Sequence, residues 1–133
     1  MVFGKAIISN LSSTNFRIFK DGKTRSKVLL SHTDWKVEKG DNIDSKAFFS
    51  TGIIELPEGA KIDLHSHENR EEIYFILKGK GEITVDGSSK ILNQGDVIWF
   101  PSKTMHGLYN LNKEILQLYF ATAVTSPGHM AHD

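Results

Sequence analysis

The stretch GAKIDLHSHENREEIYFILKG, residues 59–79, decides the fold. It contains two short apolar runs with a polar segment between them and a glycine at either end. Similar runs, rich in Ile, Val, Phe and Tyr, recur along most of the chain and are separated by Gly, Pro, Asp and Asn, a pattern typical of sandwiches and barrels. The sequence therefore predicts an all-β protein with little helix.

Eight runs of this kind are predicted to be strands. They are Lys27–Leu30, Ala47–Leu56, Lys61–His67, Glu72–Lys78, Gly81–Asp86, Val97–Phe100, Gly107–Leu111 and Ile115–Ala121. The Asp86-Gly87 pair supplies the positive φ angles of a tight turn and predicts a hairpin between the runs on either side. Helix is limited to a single turn at Thr33–Lys36, and residues 126–133 are expected to form a loose tail.

The composition bounds the number of domains and the kind of partner. A chain of 133 residues with 39% hydrophobic content suits one domain, residues 1–133, with a single core. Lys and Arg together number 16 and balance 16 Asp and Glu, so no net charge attracts nucleic acid or an anionic membrane. No apolar run approaches the roughly 20 residues of a membrane helix, and the amino end lacks the pattern of a secretion signal. We therefore expect a cytoplasmic protein whose partner is a small molecule.

His65 and His67 give the first indication of chemistry. Residues two apart on a strand project to the same side, so the two imidazoles can converge on one point. The pair alone is equally compatible with an ordinary surface strand. Glu72 follows a polar loop, and if that loop closes a hairpin, Glu72 lies across from the histidines on the face of Tyr74. A carboxylate that faces inward needs a cation as its partner, whereas Glu71, on the opposite face, is expected to be an ordinary solvated charge.

The spacing of these residues, and of others downstream, resembles the two motifs of the cupin superfamily. The first motif is matched by Gly59, His65, His67, Glu72 and Gly79, and the second by Gly95, Pro101, His106 and Asn110. The one departure is Lys103, where the family usually has a glycine, which puts the local turn in question but not the ligands. Together the motifs span residues 59–110, the core of the resemblance.

The resemblance implies a single antiparallel jelly-roll barrel that holds one divalent transition metal ion. Its protein ligands would be His65, His67, Glu72 and His106. Three neutral imidazoles and a carboxylate suit manganese, iron, cobalt, nickel, copper or zinc better than calcium or magnesium. In a six-coordinate ion these ligands leave two positions for water or substrate, and an open site is typical of catalysis.

Tyr74, Gln117 and Tyr119 have the strand phase that is predicted to face the barrel interior. They could orient a polar substrate, and filling of the core is an equal alternative. Asn110 is expected to bond to backbone near the end of the barrel. No metal is expected at the remaining histidines, which are His32, His129 and His132.

The expected function is that of a metal-dependent enzyme acting on a small polar metabolite such as a sugar, a hydroxy acid or a keto acid. Isomerase, dioxygenase, decarboxylase and lyase chemistry all stay open, because the fold does not select a reaction. The alternative is a noncatalytic module that binds or senses a small molecule through the metal.

A homodimer is also expected, because single-barrel proteins of the family commonly pair sheet to sheet. Phe3, Ile7 and Ile8 at the amino end are available to dock on a neighbour. Trp99 and Phe100 are expected to be core or dimer-interface aromatics.

Overall fold

A computed structural model describes residues 1–35 and 40–125, and these residues confirm the all-β prediction. They form one short 3₁₀ helix at Leu11–Ser13 and a series of strands. The strands, numbered in chain order, are β1 (Val2–Phe3), β2 (Ala6–Ile7), β3 (Arg17–Ile18), β4 (Arg25–His32), β5 (Asp41–Ile43), β6 (Phe48–Leu56), β7 (Lys61–His65), β8 (Arg70–Lys78), β9 (Lys80–Val85), β10 (Ser88–Asn93), β11 (Val97–Phe100), β12 (His106–Tyr109) and β13 (Leu116–Val124). Within these described residues no helix has the length and apolarity of a membrane span.

Two sheets form a jelly-roll barrel. The larger has the order β11-β8-β13-β6-β4-β3, with β5 added in parallel beside β4, and the smaller has the order β10-β9-β12-β7. Strands β1 and β2 form a separate pair. Each sheet buries one face against the other, which is how strands of alternating polarity gain a common core. The core takes side chains from both sheets, including Leu56, Ile76, Leu116, Leu118, Ile62, Ile83 and Leu108.

All eight predicted strands are present, with ends that differ by a few residues. Val97–Phe100 matches β11 without change, whereas the predicted strand Lys61–His67 ends at His65. Strand β10 was expected only as the second arm of the hairpin at Asp86-Gly87, and strands β1, β2, β3 and β5 were not predicted. These last four have two or three residues each, which is too few for an alternating pattern to be recognised.

The predicted hairpin at Asp86-Gly87 is confirmed. Asp86 has a φ of 47° and Gly87 a φ of 86°, and β9 pairs with β10 directly across the turn. The Asp86 N–H donates to the Met105 carbonyl at 2.9 Å, and the Met105 N–H donates to the Asp86 carboxylate at 3.1 Å. The turn is thereby tied to the segment that leads into His106.

The segment between β7 and β8 crosses from one sheet to the other, so the hairpin that the sequence left open at this point does not form. β7 pairs with β12 in the smaller sheet, whereas β8 lies between β11 and β13 in the larger one. A short polar loop, here residues 66–69, can span the gap between stacked sheets as readily as it can turn back beside its own strand. The histidine pair and Glu72 therefore approach each other from opposite walls of the barrel.

The helical turn expected at Thr33–Lys36 lies only partly within the described residues. There, the Trp35 N–H donates to the His32 carbonyl at 3.0 Å and closes a single turn. Lys36 and the expected tail, residues 126–133, lie outside the described residues.

Candidate metal centre

The structure brings His65, His67, Glu72 and His106 together at one end of the barrel interior. One nitrogen or oxygen from each residue lies within 4.8 Å of the others, so the group could hold a metal ion. His65 and His106 are direct cross-strand partners on β7 and β12. Glu72 extends from β8 in the opposing sheet, and His67 follows the end of β7. The cluster thus joins the two sheets.

Hydrogen bonds to backbone set the tautomer of two of the histidines. Nδ1 of His65 lies 2.8 Å from the Asp63 carbonyl oxygen, and Nδ1 of His106 lies 2.9 Å from the Thr104 carbonyl oxygen. A carbonyl oxygen can only accept, so each Nδ1 carries a proton and each Nε2 presents a lone pair. Metal-binding histidines use this arrangement, because the bond at one nitrogen orients the other toward the ion.

His106 and Glu72 together require a positive charge between them. Nε2 of His106 lies 3.1 Å from Oε1 of Glu72, and both residues are buried, at 1% and 8% exposure. With its proton on Nδ1, a neutral His106 directs a lone pair at a carboxylate oxygen, which is repulsive. A proton or a metal ion shared by the two atoms removes the repulsion. The donor set therefore fits a bound cation.

His67 differs from the other two histidines. Its Nδ1 lies 3.1 Å from Nη2 of Arg70, and a guanidinium can only donate, so this nitrogen accepts. The proton of a neutral His67 then lies on Nε2, which is 3.9 Å from Oε1 of Glu72. Before Nε2 can bind a metal, its proton must leave, and a neutral ring regains that proton at Nδ1. Metal binding through Nε2 thus competes with the contact to Arg70.

Burial keeps the histidines in the form that binds metal. It lowers the pKa of His67 to about 4, with the positive charge of Arg70 acting in the same direction. Burial also lowers the pKa of His65. Since only a neutral imidazole binds a metal ion, the folded protein offers both rings in the neutral form at neutral pH, and only His67 has to move its proton from Nε2 to Nδ1.

Tyr74 and Phe100 pack against two of the candidate ligands, Glu72 and His106. The Tyr74 hydroxyl faces the Glu72 carboxylate, and burial, with this nearby negative charge, raises the pKa of Tyr74 well above its usual value, so the hydroxyl stays neutral. The Phe100 ring stacks on His106 with centroids 4.0 Å apart and planes inclined by 12°. These contacts fix the carboxylate and the imidazole in place before any ligand arrives.

A cavity of about 180 Å³ opens beside the cluster. Its polar lining includes Arg70 and the paired hydroxyls of Ser50 and Thr122, whose oxygens are 2.8 Å apart. Apolar side chains form most of the other walls, including Val28, Trp35, Ile54, Ile62 and Phe120. The cavity therefore suits a small ligand with a few polar groups.

Tyr74 faces the barrel interior as expected, but the predicted orientation of Gln117 and Tyr119 is wrong. Along β13 it is Leu118 and Phe120 that lie in the core, so Gln117 and Tyr119 point to the other face. Nε2 of Gln117 donates to Glu55 at 2.8 Å. Tyr119 lines a separate outer groove. The sequence pattern was ambiguous because both faces of this strand carry large residues. The more apolar face packs into the barrel interior.

The remaining predictions concern the surroundings of the centre. Asn110 is structural, as expected, since its Nδ2 donates to the carbonyl oxygens of Leu56 and Glu114 at 2.8 and 2.9 Å. Phe100 is in the core at 1% exposure, whereas Trp99 is 59% exposed and donates to the Glu71 carboxylate at 2.7 Å.

Lys103 retains the backbone conformation that a glycine would adopt at this position. Its φ is 66°, in the left-handed region, and its N–H donates to the His67 carbonyl at 2.6 Å. The departure from the motif therefore leaves the turn intact, and the turn helps to place His67.

Arg70 is the residue of the site that the sequence analysis missed. It is the first residue of β8 and shares the inward face with Glu72 and Tyr74. The signal was present, because Arg70 lies two residues before Glu72, but the predicted strand began at Glu72. An extension of that strand by two residues would have brought Arg70 inside the barrel.

The comparison with known families agrees with this geometry. The sequence model of the cupin domain family matches residues 52–122, more than half of the chain, and the match contains all four candidate ligands. The chain therefore belongs to the cupin domain family.

Two relatives resemble about half of the chain. An uncharacterized protein of Methanocaldococcus jannaschii is 40% identical over 63 residues, which cover 47% of this chain and 50% of that protein. An oxalate-binding protein of Thermotoga maritima is 34% identical over 64 residues, which cover 48% of this chain and 53% of that protein. The chain thus spans about half the length of these two relatives.

A solved structure extends the likeness of the fold to most of the chain. The crystal structure of a predicted oxalate decarboxylase from Thermotoga maritima matches 89% of this chain and 99% of its own, with a TM-score of 0.75. The sequence identity is 24%, so this match supports the fold and not the activity.

Proposed function

We propose that this cupin binds one divalent transition metal ion and is a metal-dependent enzyme acting on a small polar metabolite. The ligands are His65, His67, Glu72 and His106. The observation that carries the proposal is the buried contact between Nε2 of His106 and Oε1 of Glu72, at 3.1 Å, where a metal ion would take the place of the proton that otherwise lies between the two atoms. Three imidazoles and one carboxylate favour manganese, iron, cobalt, nickel, copper or zinc.

The residues of the centre would have different roles in such an enzyme. A bound ion would supply a Lewis acid with open positions for substrate oxygens. Tyr74 holds Glu72, and Phe100 holds His106, so the ligands need little rearrangement. The apolar walls of the cavity lower the local dielectric constant and so strengthen the electrostatic interactions inside it. The chemistry of the centre is compatible with isomerase, dioxygenase, decarboxylase or lyase activity.

A noncatalytic binding module is the second candidate. It is favoured by the similarity to a protein of Thermotoga maritima that is named as an oxalate-binding protein and not as an enzyme. In that case the same metal and cavity would hold a small molecule without converting it.

The two functions are separated by metal analysis followed by a metabolite screen. We expect one equivalent of a transition metal to copurify, and turnover of a sugar, hydroxy acid or keto acid that stops after chelation and returns with metal. Metal-dependent binding without turnover across these three classes would favour the binding module. Absence of metal binding under all conditions would contradict both.

We also propose that the protein is a homodimer. Phe3 at 67% and Ile8 at 47% exposure leave the amino end available for a neighbour, and Trp99 offers a further exposed aromatic surface. Light scattering at micromolar concentration should give twice the chain mass. A monomer mass that persists as the concentration rises would contradict this proposal.

A further inference from the structure

We infer that the cavity contains an anion-binding site at Arg70, so that the ligand of the metal centre is a short carboxylic acid and not a neutral sugar. This inference rests on the proposed metal site and narrows its substrate class. It is carried by the position of a buried guanidinium in the same cavity as the metal ligands.

The guanidinium of Arg70 is held in a defined orientation. Arg70 is 7% exposed, and its guanidinium carbon lies 4.4 Å from the centre of the Phe49 ring. A guanidinium stacked on an aromatic face directs its N–H bonds sideways, in the plane of the group. It has five N–H donors and can serve more than one partner at once, which suits the two oxygens of a carboxylate.

Arg70 and the metal centre are coupled through His67. Nη2 of Arg70 donates to Nδ1 of His67 at 3.1 Å, and a neutral His67 that binds metal through Nε2 carries its proton on Nδ1. Two donors would then face each other, so this N–H of Arg70 turns away from His67 and can donate to a ligand in the cavity. A carboxylate placed between the ion and Arg70 provides an acceptor at the moment when the ion binds.

The charges around the cavity favour an anion. Among the lining residues that the structure describes, Glu72 is the only carboxylate, and Arg70 adds a positive charge. A divalent ion outweighs the single negative charge of Glu72, and the guanidinium of Arg70 lies in the same cavity, so an anionic ligand is favoured there over a neutral one.

The size and lining of the cavity limit the rest of the ligand. A volume of about 180 Å³ is below the range of roughly 300–1,000 Å³ that is typical of drug-sized ligands. The hydroxyls of Ser50 and Thr122 can bond to one polar substituent, and the apolar walls of Val28, Ile54 and Phe120 suit a short carbon chain. A small hydroxy or keto acid fits this description.

Lactate and lactamide are a matched pair of probes, because they differ in charge and hardly in shape. Each is titrated by calorimetry into protein loaded with one equivalent of Co²⁺, whose visible spectrum reports metal retention. We expect lactate to bind at least tenfold more tightly than lactamide. Arg70→Gln should weaken lactate at least tenfold and change lactamide by less than twofold. Arg25→Gln is the control, since Arg25 is bonded to Glu55 away from the cavity.

The outcomes distinguish failure of the proposed metal site from failure of the anion site at Arg70. If Co²⁺ does not bind, the metal site and the anion site both fail. If Co²⁺ binds and wild type takes both probes equally, or Arg70→Gln weakens them equally, the anion site alone is overturned. Arg70→Lys keeps the charge but loses the planar fork, so it should give an intermediate lactate affinity if Arg70→Gln does not fold. Unchanged lactate affinity in Arg70→Lys would count against bidentate binding and overturn the inference.

Discussion

The inner cavity and the outer groove of this barrel differ in size and in chemistry. The inner cavity has a volume of about 180 Å³ and adjoins four metal-binding side chains whose donor atoms lie within 4.8 Å of one another. The outer groove has a volume of about 480 Å³ and is lined by Ile7, Phe48 and Tyr119 among others. Among its described lining residues Asp44 is the only one with a metal-binding side chain.

This difference shows that volume does not locate the chemistry of this protein. A concave surface becomes a reactive site when buried polar groups converge and lack water to solvate them. The inner cavity meets that condition through His65, His67 and Glu72, whereas the described lining of the outer groove is mostly apolar and brings no such groups together. The predictions below compare substitutions at the two places.

The largest difference is expected between His106→Ala and Tyr119→Ala. Loss of His106 removes a ligand and leaves Glu72 buried without its partner, so metal affinity should fall at least a hundredfold. Tyr119 lines the outer groove, so its substitution should leave metal affinity within twofold of wild type. Competition with a chromophoric chelator measures both. If both substitutions changed metal affinity equally, the metal would not bind specifically at the inner cavity.

A smaller effect on the same centre is expected from Tyr74→Phe. The hydroxyl of Tyr74 faces the Glu72 carboxylate, and loss of a group that orients a metal ligand typically lowers metal affinity about 10- to 100-fold. The ring and its contact with Phe100 are retained, so the fold should be preserved. Gln117→Ala, on the outer face of β13, is the matched control and should leave affinity unchanged. A Tyr74→Phe variant with wild-type affinity would show that Glu72 needs no positioning.

The free energy of unfolding of the metal-free protein should decrease as the pH is lowered, because the buried histidines of the inner cluster resist protonation. The pKa of His67 is about 4 in the folded state against an ordinary value of 6.5. Between these values the unfolded chain binds more protons, so the free energy of unfolding decreases as the pH falls through this window. The slope should approach about 1.4 kcal/mol per pH unit for each histidine that is neutral only when folded.

Urea unfolding of chelated protein between pH 7 and pH 4 measures this dependence. His67→Gln should make the slope shallower, whereas His32→Gln, which lies outside the cluster, tests whether any histidine has the same effect. If His67→Gln left the pH dependence of the free energy of unfolding unchanged, this dependence would not come from His67.

The smallest effect concerns the loop beside His67. Lys103 has a φ of 66°, a conformation that costs a residue with a side chain about 1–2 kcal/mol relative to glycine. Lys103→Gly should therefore raise the free energy of unfolding by up to about 1 kcal/mol, after the greater entropy of the glycine in the unfolded chain is subtracted. Lys80→Gly, within β9, should lower it. The midpoints of denaturant unfolding measure both changes. A Lys103→Gly variant that is less stable than wild type would contradict the prediction.

The sequence predicted the inner site much better than the surfaces around it. The donors His65, His67, Glu72 and His106 could be found because their spacing reflects strand alternation and two motifs of fixed length. The sheet crossing after His65 could not be found, since a short polar loop is compatible with either path.

The errors at Gln117 and Tyr119 have a different physical cause. Alternation defines two faces of a strand but does not say which face is inside when both carry large residues. Leu118 and Phe120 bury more apolar area than Gln117 and Tyr119, and the burial of that area decides the orientation. Arg70 was missed because the start of a strand is the least defined part of its pattern.

The metal content of wild-type protein beside that of the triple variant His65→Ala, His67→Ala, His106→Ala tests the central claim most directly. Mass spectrometry of purified, dialysed protein should find one equivalent of a divalent transition metal per chain in the wild type and almost none in the variant. Circular dichroism checks that the variant keeps its β-structure, and Gln117→Ala should retain full occupancy. Full metal retention in a folded triple variant would contradict the account.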